Sequence, residues 1–112
     1  MADPNSLYDE ADKLKDAGKF EEAAAKLNEA LAADANFTLA HSALAVVLQK
    51  LSRHDEAIRH AQRVCELEPG DPFSFTAMSV TYQRAYAGTG DMQYSRLAED
   101  AMERSRMIQG GH

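Results

Sequence analysis

Apolar residues recur at intervals of three and four along most of this chain, the spacing that places side chains on one face of a helix. Leu7, Ala11 and Leu14 make the first such stripe, and Phe20, Ala23, Ala24, Leu27, Ala30 and Leu31 a broader second one. Between them Gly18 suits the left-handed residue that ends a helix. The next pair of stripes is Leu44, Ala45, Leu48 and Leu51, then Ala57, Ile58, Ala61, Val64, Cys65 and Leu67, stopped by Pro69-Gly70. A last pair follows, with Phe75, Met78, Ser79 and Tyr82, then Leu97, Ala98, Ala101, Met102 and Ile108. The pattern predicts six amphipathic helices over roughly 4–17, 21–34, 38–51, 55–68, 72–87 and 93–108. Asp3-Pro4 and Asp71-Pro72 each put an N-capping carboxylate before a first-turn proline, a strong helix start. Glu21 and Glu22 fall where the helix dipole favours negative charge.

The stripes also repeat as a block. Gly18-Lys19-Phe20-Glu21-Glu22-Ala23-Ala24 aligns with Ser52-Arg53-His54-Asp55-Glu56-Ala57-Ile58, and at the same offset Leu14 meets Leu48, Ala11 meets Ala45 and Leu31 meets Cys65. The chain therefore reads as one domain, 1–112, of three units at about 4–37, 38–71 and 72–108 with a frayed tail at 109–112. Ala11, Ala45 and Ser79 occupy equivalent places, as do Ala23, Ala57 and Ala98. Small side chains at such points let two helices approach closely. The third unit is irregular: Ala98 lies seven positions further from Ala57 than one period allows, which implies an insertion. Gly88-Thr89-Gly90-Asp91-Met92-Gln93 is accordingly read as an extended turn.

A 34-residue helix-turn-helix unit carrying these residues resembles the tetratricopeptide repeat, or TPR. Ser52 departs from the family's usual glycine, His41 from an aromatic or leucine, and Glu10 from a leucine. The resemblance implies an all-α, right-handed α-solenoid of three TPR units. It also implies a groove, lined by the first helix of each unit, that binds a peptide or helix of another protein. Carried over residue by residue, the groove sites are Asn5, Tyr8, Asp12 and Lys15; Leu39, Ser42, Val46, Gln49 and Lys50; and Phe73, Thr76, Val80, Gln83 and Arg84. Leu39, Val46, Phe73 and Val80 lie off the core stripes of their own helices, so they form an apolar strip inside a polar rim. That strip fits a partner segment, or else coverage by the chain's own C-terminal part or a second copy in a homodimer. One TPR subclass grips the terminal carboxylate of chaperones with Lys, Arg and Asn. The equivalent sites here are Tyr8, Asp12, Ala43, Phe73 and Ala77, none of which supplies the charge.

Composition narrows the chemistry further. Acids outnumber bases 18 to 12, and the net charge of −6 leaves no basic face for nucleic acid or an anionic membrane. Residues 1–37 alone carry four bases and nine acids, which favours a basic partner segment. Cys65 stands alone, so no intrachain disulfide forms, and a reducing cytoplasmic setting is expected. Met1 to Asn5 hold neither a basic region nor an apolar run, so no signal peptide is expected there. His41, His54, His60 and His112 lack zinc-ligand spacing, and His41 reads as a buried packing residue. Cys65 sits on an apolar stripe, as a small hydrophobe does. Gly88-Thr89-Gly90-Asp91 lacks the lysine of a phosphate loop. Of the late methionines, Met102 belongs to the core, whereas Met107 faces out. The sequence thus predicts a non-catalytic, cofactor-free protein-interaction module.

Overall fold

A computed structural model describes residues 3–110. Six helices follow one another: α1 (Pro4–Asp16), α2 (Phe20–Ala33), α3 (Thr38–Lys50), α4 (His54–Leu67), α5 (Pro72–Thr89) and α6 (Met92–Gly110). The expectations for Met1, Ala2, Gly111 and His112 fall outside the described residues. The two Asp-Pro starts behave alike. The Asp3 carboxylate accepts from the Ser6 amide at 3.2 Å, and the Asp71 carboxylate from the Phe73 amide at 2.9 Å. Each satisfies an N–H that the first helical turn leaves unbonded.

Consecutive helices pack as antiparallel hairpins, α1 with α2, α3 with α4 and α5 with α6, and neighbouring hairpins stack through α2–α3 and α4–α5. The backbones of the first helices also approach one another across units, α1 with α3 and α3 with α5. They therefore form one inner layer, while α2, α4 and α6 lie outside. Polar bonds tie neighbouring units together at the surface. Arg53 donates to Glu21 at 2.7 Å, Arg63 to Asn36 at 2.9 Å and the Tyr94 hydroxyl to Asp55 at 3.1 Å.

The interior divides in two. Leu7, Ala11, Leu27, Leu44, Leu48 and their neighbours fill the space between the first two units. Ile58, Tyr82, Ala85 and Ala98 make a second cluster under the third. The helix α4 is the shared wall, for Ala57 belongs to the first cluster and Ile58 to the second. The recurrent small residues Ala11, Ala45, Ser79, Ala23, Ala57 and Ala98 are all buried. Val47, which lies outside the stripe Leu44, Ala45, Leu48 and Leu51, is fully buried as well.

The extended turn expected in the third unit does not form. α5 continues through Gly88 and Thr89, and only Gly90 and Asp91 separate it from α6. The insertion is absorbed by the helices instead. α5 is five residues longer than α3, and Ala98 lies three residues deeper in α6 than Ala57 does in α4, while the turn is one residue shorter than its counterpart. Gly88 serves close packing. A β-carbon there would collide with the His54 ring at Nε2 and lie 3.1 Å from its Cε1. Gly90, at φ +74°, supplies the left-handed stop, and Asp91 caps α6 by accepting from the Gln93 amide at 3.0 Å. The last helix also continues two residues beyond the predicted end, to Gly110.

Candidate protein-binding groove

The inner layer carries an open cleft between α3 and α5. Ser42, Ala45, Val46, Gln49 and Lys50 form one wall, and Ser74, Ala77, Val80, Thr81 and Arg84 the other, with Ala61 and Val64 of α4 as the floor. Its volume is about 480 Å³. That lies within the range of ligand clefts, roughly 300–1,000 Å³. The helical period explains the arrangement. Val46 and Val80 stand one repeat apart at equivalent places on parallel helices, so the repeat itself places both on the same side of the layer. The walls are bridged once, where Gln49 donates its side-chain amide to Thr81 Oγ1 at 3.1 Å. The Thr81 hydroxyl in turn donates to the Ala77 carbonyl at 3.1 Å.

Six of the fourteen residues expected in the groove meet at this cleft: Ser42, Val46, Gln49, Lys50, Val80 and Arg84. Leu39 and Phe73 stand at the N-terminal ends of α3 and α5, outside the cleft lining, with 54% and 74% of their surface exposed. Each precedes its valine by two helical turns on the same face. Tyr8 and Asp12 line a much smaller recess, of about 10 Å³, between α1 and α3. Tyr8 leans on Phe37 with ring centres 5.9 Å apart, and Asp12 pairs with Lys15 at 3.3 Å. Thr76 and Gln83 take other directions. The Thr76 hydroxyl meets Ser105 Oγ of α6 at 2.9 Å, and Gln83 bonds Ser79 Oγ at 3.2 Å beside a separate cleft shared with α6. The longer α6 supplies the partner that draws Thr76 away, which the register of the first two units does not reveal. Ala45, Ala61, Val64, Ser74, Ala77 and Thr81 line the cleft although the carried-over groove set omits them. They share one signal, a small or β-branched side chain on a wall or floor where bulk would close the space.

The titratable side chains nearby are structural. His41 is buried, and its Nε2–H donates to the Ala35 carbonyl at 2.9 Å. That contact fixes the tautomer, because a carbonyl only accepts. His41 Nδ1 consequently accepts from His60 Nδ1 at 3.0 Å. Desolvation, followed by His41 and Arg59, holds the His60 pKa below its usual 6.5, against a smaller opposing pull from Glu56. Cys65 is buried with its Sγ 3.4 Å from the Ser74 carbonyl, and burial pushes its thiol up to about 11. A buried thiol raised this far carries very little thiolate at pH 7 and packs as a small apolar group. Among the described residues no group of three or more His, Cys, Asp or Glu side chains could hold a metal ion, and no helix is long and apolar enough to cross a membrane.

A family profile described as "Tetratricopeptide repeat" matches residues 14–73, more than half of the chain. The chain belongs to the tetratricopeptide repeat family. Its fold is similar to that in the crystal structure of MamA protein, with a TM-score of 0.72 and 16% sequence identity. The match covers 98% of this chain and 59% of that one, so this TPR chain spans about three-fifths of the MamA structure. No curated protein matches in sequence. TPR units are protein-interaction modules, and the cleft lies on the inner helices of this one.

Proposed function

We propose that this TPR chain is a non-catalytic adaptor that docks a peptide or helix of another protein against α3 and α5. The observation that carries the reading is the cleft of about 480 Å³. Val46 and Val80 in its walls and Leu39 and Phe73 beside it are apolar side chains, each at least 40% exposed. Leaving such groups in water costs about 25 cal/mol for every Å² of apolar surface. Clustered exposure of this kind marks a surface that a partner covers. Val46 and Val80 would anchor an apolar side chain of the partner in the cleft, with Leu39 and Phe73 extending the contact along the helix starts. Gln49 and Ser42 offer polar contacts to the partner's backbone.

The test is affinity capture from native lysate on the wild type, Val80→Asp and Phe73→Asp in parallel. Both side chains are exposed, so both variants are expected to fold, and circular dichroism checks this. Proteins retained by the wild type and lost from the variants support the reading. Equal recovery on all three, with folding intact, removes the cleft as the docking site.

A further inference from the structure

The charges around the cleft are one-sided. Its lining holds two cations, Lys50 and Arg84, and no carboxylate, in a chain whose net charge is −6. Among the described residues neither cation lies within ion-pair distance of an acid. The two occupy equivalent positions one repeat apart, and the same position of the first unit is Asp16. The inner layer thus changes sign between units. At α1 the corresponding recess is lined by Asp12 together with its own partner Lys15, whereas the apolar cleft at α3–α5 is bordered by unneutralised positive charge.

Building on the docking reading above, we propose that the α3–α5 cleft takes a protein segment in which an aliphatic residue is flanked by aspartate or glutamate. The aliphatic side chain lies against Val46, Val80 and the floor of Ala61 and Val64, and the neighbouring carboxylate meets the Lys50 ammonium and the Arg84 guanidinium. Beside an apolar wall this attraction is screened less than in open water. The excess of acids in residues 1–37 gives a contrary expectation, of a basic partner. Those acids belong to the first unit, and inner helices sit a helix diameter, ~10 Å, apart. That is already about one Debye length at physiological ionic strength. Local charge at the cleft therefore outweighs the distant excess in choosing what binds there.

The test is selection from a phage-displayed library of random short peptides on the full chain at physiological salt, in parallel with the Lys50→Glu/Arg84→Glu and Lys50→Gln/Arg84→Gln variants. Both positions are exposed, and helical circular dichroism confirms that the variants fold. Wild-type selection is expected to enrich Asp or Glu beside Leu, Ile or Val. Changing that acid to its amide in the best peptide should weaken binding about tenfold, as loss of a close charge contact does. The charge-reversed variant should select Lys or Arg instead, and the glutamine variant should lose the preference for acid without reversing it. Peptides that carry no acidic bias, or that bind all three proteins equally, overturn this inference and leave the docking reading standing. A wild type that enriches no sequence at all overturns the docking reading itself.

Discussion

Ser52 shows how one side chain can stand against its backbone. It adopts φ +60°, in the turn where the first unit has Gly18 at φ +78°. A side chain in the left-handed region costs roughly 1 kcal/mol. Ser52→Gly removes that cost but gives the unfolded chain more freedom. A net stabilisation of a few tenths to about 1 kcal/mol is expected, read as a higher urea midpoint. No change would mean that the Ser52 turn is unstrained. The His41–His60 pair makes a second residue-scale prediction. The folded-state pKa of His60 is lowered, so between that value and 6.5 the unfolded chain binds more protons than the folded one. Stability is therefore fully present above pH 6.5 and is lost as the pH falls through the folded value. The urea midpoint should drop on acidification from about pH 7.5 to about pH 5.5, and His60→Gln should flatten that drop. An equally steep fall in the variant would place the proton elsewhere. The departure at Ser52 was visible in the sequence against Gly18. The histidine contact was not, because it joins side chains on two different helices and no local pattern encodes it.

Close approach of paired helices depends on the small positions of the repeat. Ala57 on α4 has no exposed surface and belongs to the cluster between the first two units. Ala57→Leu adds three carbons where none fit and is expected to cost about 1–3 kcal/mol, measured by urea denaturation. An unchanged midpoint would show that the register assigned to α4 is wrong. The first four helices lie within one residue of their predicted bounds, because stripes and stop signals agree at both ends. The ends of α5 and α6 stray furthest, and α5 is the instructive case. Gly88 reads as a turn residue, yet it sits inside a helix, where the His54 ring occupies the place a side chain would take. Glycine as a turn signal and glycine as a close-contact signal are identical in a sequence, and only the neighbouring helix separates them.

The whole molecule is a short stack, 42 by 35 by 20 Å, in which each unit touches mainly its neighbours. The cleft lining was legible in outline, since Ser42, Val46, Gln49 and Val80 are among the sites that the resemblance to the family implies. Thr76 and Gln83 were not, because α6 departs from that register and the end unit has no further first helix to face. If the exposed strip serves a different protein, the isolated chain should remain monomeric. Light scattering at rising concentration is expected to give a single mass near that of one chain. A mass that climbs toward two chains would instead make a second copy the occupant of the strip.

The claim that α3 and α5 form the docking face is tested most directly by amide chemical shifts of the labelled chain, followed while a selected or captured partner segment is added. The account predicts that the perturbed residues cluster at Ser42, Val46, Gln49, Val80, Thr81 and Arg84, with α2 and the outer face of α6 unmoved. Perturbations that map instead to α6, or to the outer layer of α2 and α4, would contradict it.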